Sequence, residues 1–222
     1  MTDISGNIST IRSKLPPSVT LVAVSKTRSA DEILQAYDAG QRVFGENRVQ
    51  ELIAKRDHLP SDIEWHLIGH LQTNKAKYVV PFASMIESVD SLKLLKNINN
   101  EASKIKRQVR CLLQIHTAME ETKFGFSMDE LISIFDSGQT ADLQYVAMHG
   151  LMGMATFTSD TAKVRSEFRY LSDCFTTIKN RYFSSDPRFS EISMGMSGDY
   201  NIAIEEGSTM IRLGSIIFGE RI

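Results

Sequence analysis

The sequence predicts a single (β/α)8 TIM barrel, preceded by one extra helix. Short apolar, β-branched runs alternate with segments of helical periodicity, and the pattern repeats eight times along the chain. Strict alternation of strands and helices is typical of a parallel sheet, and eight such units favour a closed barrel. The alternative is an open Rossmann-like sheet, but no Gly-x-Gly-x-x-Gly motif follows the first predicted strand. No Gly-, Ser- or Pro-rich linker divides residues 1–222, so we expect one domain.

The individual elements are predicted from local patterns. Apolar residues recur at helical spacing over residues 4–15, and a Pro-Pro pair ends this first helix. Ser29 and Glu32 form a capping box, and Asp90 and Ser127 are the predicted caps of two later helices. The predicted strands span residues 21–26, 42–44, 64–68, 84–89, 109–116, 143–149, 191–194 and 209–213. The helices between them are predicted at residues 29–37, 48–58, from 75 onward, 90–105, 127–135, 160–182 and 198–206.

The composition argues against several classes of function. The chain carries 25 Lys and Arg residues against 27 Asp and Glu residues, so it has no electrostatic footprint for nucleic acid or an anionic membrane. No apolar stretch approaches ~18 residues, and the N-terminus lacks the pattern of a signal peptide. Two separated cysteines, Cys111 and Cys174, fit a reducing compartment. We therefore expect a cytoplasmic protein and take a monomer as the default.

The first predicted strand ends in a lysine. A period of two places Val22, Val24 and Lys26 on one face of an otherwise apolar strand. A lysine that continues a buried face either extends its amine to solvent or has a functional role, and lysines that lose their proton readily form Schiff bases. Functional groups collect at the C-terminal ends of barrel strands, so Lys26 is a candidate Schiff-base lysine.

Glycine and serine residues follow the last two predicted strands. Ser197 and Gly198 come after strand seven, and Gly214 and Ser215 come after strand eight. Such residues let the backbone approach an anion, and a phosphate site between these two loops recurs in (β/α)8 barrels. Each pair alone is explained by a plain helix cap, but two pairs at adjacent strand ends indicate a phosphate.

Other polar residues at the strand ends have two interpretations each. Arg212 is predicted to point into the barrel, where its partner is either Glu87 in a salt bridge or a ring nitrogen or phosphate of a ligand. Asn47 either caps the next helix or contacts a ligand, and Lys123 is a further candidate for the barrel mouth. The histidines lack metal-ligand spacing with an acidic partner, so we predict no metal site.

A Schiff-base lysine, an inward arginine and a phosphate site suit pyridoxal phosphate (PLP). This cofactor needs a lysine for its aldehyde, an anchor for its phosphate and a partner for its ring nitrogen. A phosphorylated carbonyl substrate, as in a cofactor-free Schiff-base aldolase, fits the same residues nearly as well.

The chain resembles the pyridoxal phosphate homeostasis proteins, whose barrel is similar to the N-terminal domain of alanine racemase. The matching segments occur in order along nearly the whole chain. They are LVAVSKT at 21–27, FGENRVQE at 44–51, WHLIGHLQTNK at 65–75, KFG at 123–125, GLM at 150–152, SMGMSGD at 193–199 and GSTMIRLGSIIFG at 207–219. The sequence departs from the family pattern at Arg28-Ser29, where proline is common, and at His149, where arginine is common.

The resemblance implies a PLP-binding barrel of fold type III in which Lys26 carries the cofactor as an internal aldimine. It also implies that Arg212 faces the pyridine nitrogen and that Asn47 lies near the ring. The phosphate site implied by the resemblance consists of Ser197, Gly198, Gly214 and Ser215.

The resemblance further implies a role in PLP homeostasis without catalytic residues. An arginine opposite the ring nitrogen disfavours its protonation, which makes PLP a poorer electron sink. Racemases of the similar barrel type use a tyrosine from a second domain, and this chain ends at Ile222, so we expect no such domain; among its tyrosines only Tyr200 is placed near the mouth. Apo PLP-dependent enzymes are candidate recipients of the cofactor. The alternatives are a single-domain PLP enzyme, such as a weak amino acid racemase, and the aldolase.

Overall fold

Eight parallel strands form a closed barrel in the computed structural model, which describes residues 2–117 and 124–220. The strands are β1 (Thr20–Val24), β2 (Val43–Glu46), β3 (Glu64–Leu67), β4 (Met85–Val89), β5 (Val109–Gln114), β6 (Val146–Met152), β7 (Glu191–Ser193) and β8 (Met210–Leu213). They pair in chain order, and parallel pairing of β1 with β8 closes the ring. The predicted fold class is confirmed.

Helices cover the outside of the barrel, and one precedes it as predicted. They are α1 (Ile4–Arg12), α2 (Ala30–Asp38), α3 (Val49–Arg56), α4 (Ala76–Val79), α5 (Leu92–Lys104), α6 (Met128–Asp136), α7 (Thr161–Tyr182), α8 (Tyr200–Glu205) and α9 (Ser215–Phe218), with a 3₁₀ turn at Thr73–Lys75. Capping boxes at Ser29 and Ser127 start α2 and α6; the sequence predicts the box at Ser29 and a helix cap at Ser127. The short helix α9 was not predicted. Within the described ranges, no helix is long and apolar enough to cross a bilayer.

Strand β6 lies three residues further along the chain than predicted. It continues through Gly150, which has a φ of 152°. A Cβ at this position would lie 1.8 Å from the backbone oxygen of Glu191, so only glycine allows β7 to approach this closely. The prediction was wrong because it ended the strand before a glycine that packing against β7 requires.

The predicted cap of α5 is also wrong. Ser91, and not Asp90, accepts the N–H of Leu94 at the start of this helix. The carboxylate of Asp90 instead lies 2.7 Å from Nδ1 of His70. A tertiary contact across neighbouring strand ends therefore decides which residue caps the helix.

Two apolar clusters and a set of polar side chains fill the molecule. The cluster inside the barrel consists of Val22, Met85, Leu112, Met152 and Met210. The larger cluster lies between strands and helices and includes Leu21 and Ala23, which confirms the predicted alternation along β1. Cys111 and Cys174 are buried and free. The buried polar side chains include four that form hydrogen bonds across the barrel interior: His66, Glu87, Ser193 and Arg212.

Candidate functional site

A cavity of about 600 Å³ lies at the C-terminal ends of the strands. This volume is typical of sites that bind small molecules. Residues of the turns and loops after β1, β2, β3, β6, β7 and β8 contribute to its walls. All seven residues singled out from the sequence line it: Lys26, Asn47, Ser197, Gly198, Arg212, Gly214 and Ser215. Closure of the barrel brings them together, because hydrogen bonding between β1 and β8 places the two ends of the chain side by side.

Lys26 lies in the turn after β1, since this strand ends at Val24 rather than at Lys26 as predicted. The preceding residue, Ser25, is fully buried, and its Oγ donates a hydrogen bond to Oε1 of Glu46 at 2.6 Å. Nζ of Lys55 donates to the same Oε1 and to the backbone oxygen of Ser25, both at 2.7 Å. Burial raises the pKa of Glu46, while the hydrogen bonds from Lys55 and Ser25 act in the opposite direction. The backbone directly before Lys26 is therefore held in place through Ser25.

The loops after β7 and β8 meet at the cavity. Oγ of Ser197 accepts the N–H of Gly214 at 3.4 Å, which joins the two loops. Ser197 does not cap α8, because the N-cap residue is Asp199. Within the described ranges, the N–H groups of Ser197 and Gly198 donate to no protein acceptor, and open space lies where a Cβ of Gly198 would be. Free N–H groups and hydroxyls in this arrangement are chemically suited to a phosphate.

Arg212 contacts the polar network that includes Glu87, which is the first of the two interpretations that the sequence allows. Its Nη1 donates to Oγ of Ser193 at 2.6 Å and lies 3.9 Å from Oε2 of Glu87, while its Nη2 donates to the backbone oxygen of Gly153 at 2.9 Å. The salt bridge to Glu87 is thus largely mediated by the serine. Burial lowers the pKa of Arg212, and the charges of Glu87 and Asp199 act in the opposite direction. Arg212 also lines the cavity, so its contact with a ligand stays a prediction.

Glu87 is the centre of the polar network inside the barrel. Its Oε1 lies 2.7 Å from Nδ1 of His66, and its Oε2 accepts the hydroxyl of Ser193 at 2.6 Å. Burial raises the pKa of Glu87, but His66, Arg212 and Ser193 together outweigh burial and hold this pKa below its usual value. The network fixes the guanidinium of Arg212 from behind.

Asn47 lines the cavity and does not cap a helix. The N-cap residue of α3 is Arg48, and no side chain caps this helix. Oδ1 of Asn47 is buried and has no hydrogen-bond partner in the described part of the chain. A buried acceptor without a donor is costly, so this oxygen is a natural contact for a polar ligand.

The sequence analysis missed three informative residues of the cavity: Arg28, Phe157 and Asp199. Burial raises the pKa of Asp199, whereas the backbone N–H of Met196 and the charge of Arg212 act in the opposite direction. Asp199 stands directly after Ser197-Gly198, and this position was the available signal. Phe157 lines the cavity with a fully exposed side chain. Its position between two threonines after β6 was the feature of the sequence that could have identified it.

Other candidates from the sequence lie elsewhere. His149 is not among the cavity residues. Its pKa is lowered by burial and by the charge of Arg110. Lys75 belongs to the 3₁₀ turn and is also absent from the cavity wall. Lys123 lies outside the described residues. Over residues 2–117 and 124–220, no group of three or more His, Cys, Asp or Glu side chains is arranged to hold a metal ion.

Comparison with known proteins gives the family. The protein-family model for the N-terminal domain of alanine racemase matches residues 1–222 of this chain. A pyridoxal phosphate homeostasis protein from a Synechocystis species is 40% identical over 216 residues, which cover 96% of this chain and 97% of that protein. The protein of the same name from Vibrio alginolyticus is 36% identical over 236 residues, which cover 100% and 99%. The chain belongs to the pyridoxal phosphate homeostasis protein family. The resemblance stated from the sequence is confirmed.

Solved structures agree with this family assignment. PipY from Synechococcus elongatus, solved with PLP bound, has a TM-score of 0.90 and 38% identity, and the match covers 97% of this chain and 100% of PipY. Alanine racemase from Clostridium difficile has a TM-score of 0.74 at 16% identity, covering 99% of this chain and 56% of that chain. The second likeness shows a shared barrel fold alone.

Proposed function

We propose that this chain binds PLP and holds it covalently on Lys26, as part of PLP homeostasis. The observation that carries the proposal is that Lys26, Arg212 and the loops after β7 and β8 all line one cavity. The family relatives are named for PLP homeostasis, and PipY was solved with PLP bound. Both facts support the same ligand for this chain.

The residues present fit the chemical groups of PLP. PLP supplies an aldehyde carbon, with which a lysine amine condenses with loss of one water. Lys26 would provide this amine and Arg212 would face the ring nitrogen, while the buried Oδ1 of Asn47 would accept a hydrogen bond from the ligand; all three residues line the cavity. Ser197, Gly198, Gly214 and Ser215, which also line the cavity, would hold the phosphate.

We infer that the site holds the cofactor rather than catalysing a reaction on it. Reversible proton transfer at an amino acid α-carbon needs acid–base groups on both faces. The cavity wall formed by described residues contains no tyrosine, histidine or cysteine side chain. In addition, the cation of Arg212 opposes protonation of a ring nitrogen beside it, which weakens the electron sink that turnover requires.

A weak amino acid racemase is the second candidate. The observation that favours it is Asp199, a carboxyl in the cavity wall whose pKa is raised by burial and which is therefore a candidate acid–base group. Exchange of the α-proton with deuterated solvent, followed by NMR over a panel of amino acids, separates the two functions. We expect no exchange. Robust exchange that is lost in Asp199→Asn would establish the racemase instead.

Borohydride reduction tests the proposal directly. Protein mixed with PLP and then freed of unbound PLP should stay yellow, and reduction followed by peptide mass analysis should place a pyridoxyl group on Lys26. Lys26→Arg should abolish this label, whereas the matched control Lys75→Arg, outside the cavity, should retain it. A protein that stays colourless with PLP, or a label on Lys75 or Lys123, would contradict the proposal, and the colourless outcome would favour the aldolase.

We further propose that residues 1–222 act as one domain, as a monomer in the cytoplasm, with apo PLP-dependent enzymes as recipients of the cofactor. Light scattering should give the mass of one chain, 24.9 kDa. Transfer should appear as faster reactivation of an apoenzyme by loaded protein than by an equal concentration of free PLP.

A further inference from the structure

The turn that carries Lys26 contains an unfavourable backbone conformation. Thr27 has a φ of 65°, in the left-handed region, although it is β-branched. This conformation brings a Cβ too close to the backbone and is rare for threonine, valine and isoleucine. The side chain of Thr27 is exposed, so packing of that side chain does not explain why the strain is retained. Strain of this kind persists where surrounding contacts impose it, and it concentrates at functional sites.

Residues of β2 and α3 form hydrogen bonds with the backbone and side chain on both sides of Lys26. On one side of Lys26, the buried Ser25 is bound through its hydroxyl to Glu46 and through its backbone oxygen to Lys55. On the other side, Oε2 of Glu51 accepts the backbone N–H of Thr27 at 2.9 Å.

These contacts belong to one connected group. Nζ of Lys55 lies 2.7 Å from Oε1 of Glu46 and 3.7 Å from Oε2 of Glu51. Glu46 ends β2, while Glu51 and Lys55 stand one helical turn apart on α3. The backbone on both sides of Lys26 is therefore held by a single cluster, which we call the Glu46–Glu51–Lys55 clamp.

We propose that the Glu46–Glu51–Lys55 clamp positions Lys26 for PLP by holding residues 25–27 in a strained turn. This inference rests on the proposed function. A lysine on a fixed backbone loses less conformational freedom when it attaches to the cofactor than a lysine on a mobile one. Loosening the turn should therefore slow covalent attachment and weaken retention, even though it relieves strain in the protein.

Two glycine substitutions separate strain from positioning. Glycine adopts a positive φ without steric cost, so Thr27→Gly relieves the strain. Lys106 is a matched control, because it is also exposed, lies in a turn and has a φ of 51°. Urea unfolding without PLP should show a higher midpoint for both Thr27→Gly and Lys106→Gly. In stopped-flow absorbance with PLP, Thr27→Gly should attach the cofactor about tenfold more slowly. It should also shift the pH at which the absorbance band of the bound cofactor is half changed. Lys106→Gly should match the unmodified protein in both measurements.

Substitutions of Glu51 test the clamp itself. Glu51→Ala removes the acceptor for the N–H of Thr27 and should slow attachment, whereas Glu51→Gln keeps an oxygen that accepts this N–H and should restore most of the rate. Asp57→Ala removes a charge at the end of the same helix and should have no effect. If Lys26 is labelled normally but Thr27→Gly and Glu51→Ala attach PLP at the unmodified rate with the same pH midpoint, the positioning role is refuted while the proposed function stands. Absence of a label on Lys26 in the unmodified protein would refute both.

Discussion

Glu87→Gln tests whether the network behind Arg212 is as strongly coupled as its geometry indicates. Glu87 is fully buried, and Arg212 is 4% exposed. Glutamine preserves the shape of the side chain but removes the negative charge nearest to the guanidinium, at 3.9 Å. Removing one partner of a buried ion pair costs about 3–5 kcal/mol, because the remaining charge stays buried without compensation. We expect a loss of this size in the free energy of unfolding at neutral pH.

The loss should depend on pH in a defined direction. The pKa of Glu87 is lower in the folded protein than in the unfolded chain, where a glutamate titrates near ~4.3. The ionised carboxylate therefore stabilises the fold fully above that pH, and this stabilisation is lost as the pH falls through the lower folded pKa. Below it the protonated glutamic acid resembles glutamine, so the stability difference between the two proteins should shrink with acidification.

Urea unfolding of both proteins across an acidic pH series measures this difference. Glu64→Gln is the control, since Glu64 pairs with Arg110 at 3.2 Å but is 47% exposed, and such a pair contributes only about 0–1 kcal/mol. A loss below about 1 kcal/mol for Glu87→Gln at neutral pH would show that solvent or relaxation compensates the charge of Arg212. A difference that grows on acidification would refute the assignment of a lowered pKa.

Two further substitutions test the fold by the same urea assay. Gly150→Ala should cost about 4 kcal/mol or more, because its Cβ would collide with the backbone of Glu191 in β7; a loss under about 1 kcal/mol would show that β7 can move away. Ser29→Ala and Ser127→Ala should each cost about 0.5–2 kcal/mol, because each serine caps a helix through a capping box; no loss in either would mean that water replaces the cap.

The seven predicted residues that line the cavity could be found from the sequence because they follow strand ends. The apolar run before Lys26 and the Gly-Ser pairs at Gly198 and Gly214 are local patterns, and parallel strands place their C-terminal ends on one face. The partners of these residues could not be predicted in the same way. Glu87 was named as a candidate for Arg212, but the intervening hydroxyl of Ser193 follows from the register of three strands. The Glu46–Glu51–Lys55 clamp was missed because its contacts to the turn depend on how α3 packs against β2.

The sequence by itself determined the alternation of strands and helices, the faces of β1, the capping box at Ser29, the helix cap at Ser127 and seven of the residues that line the cavity. Each of these depends on neighbours within a few positions, so local periodicity and hydrogen bonding were sufficient. Only the tertiary structure decided where β6 lies, which residue caps α5 and how Lys26 is held. In β6 the close approach of β7 requires Gly150, at α5 the contact with His70 occupies Asp90, and after β1 the clamp imposes a positive φ on Thr27. Contacts between residues distant in sequence outweighed local preference at these three places, because a buried or charged partner contributes more free energy than a local propensity does.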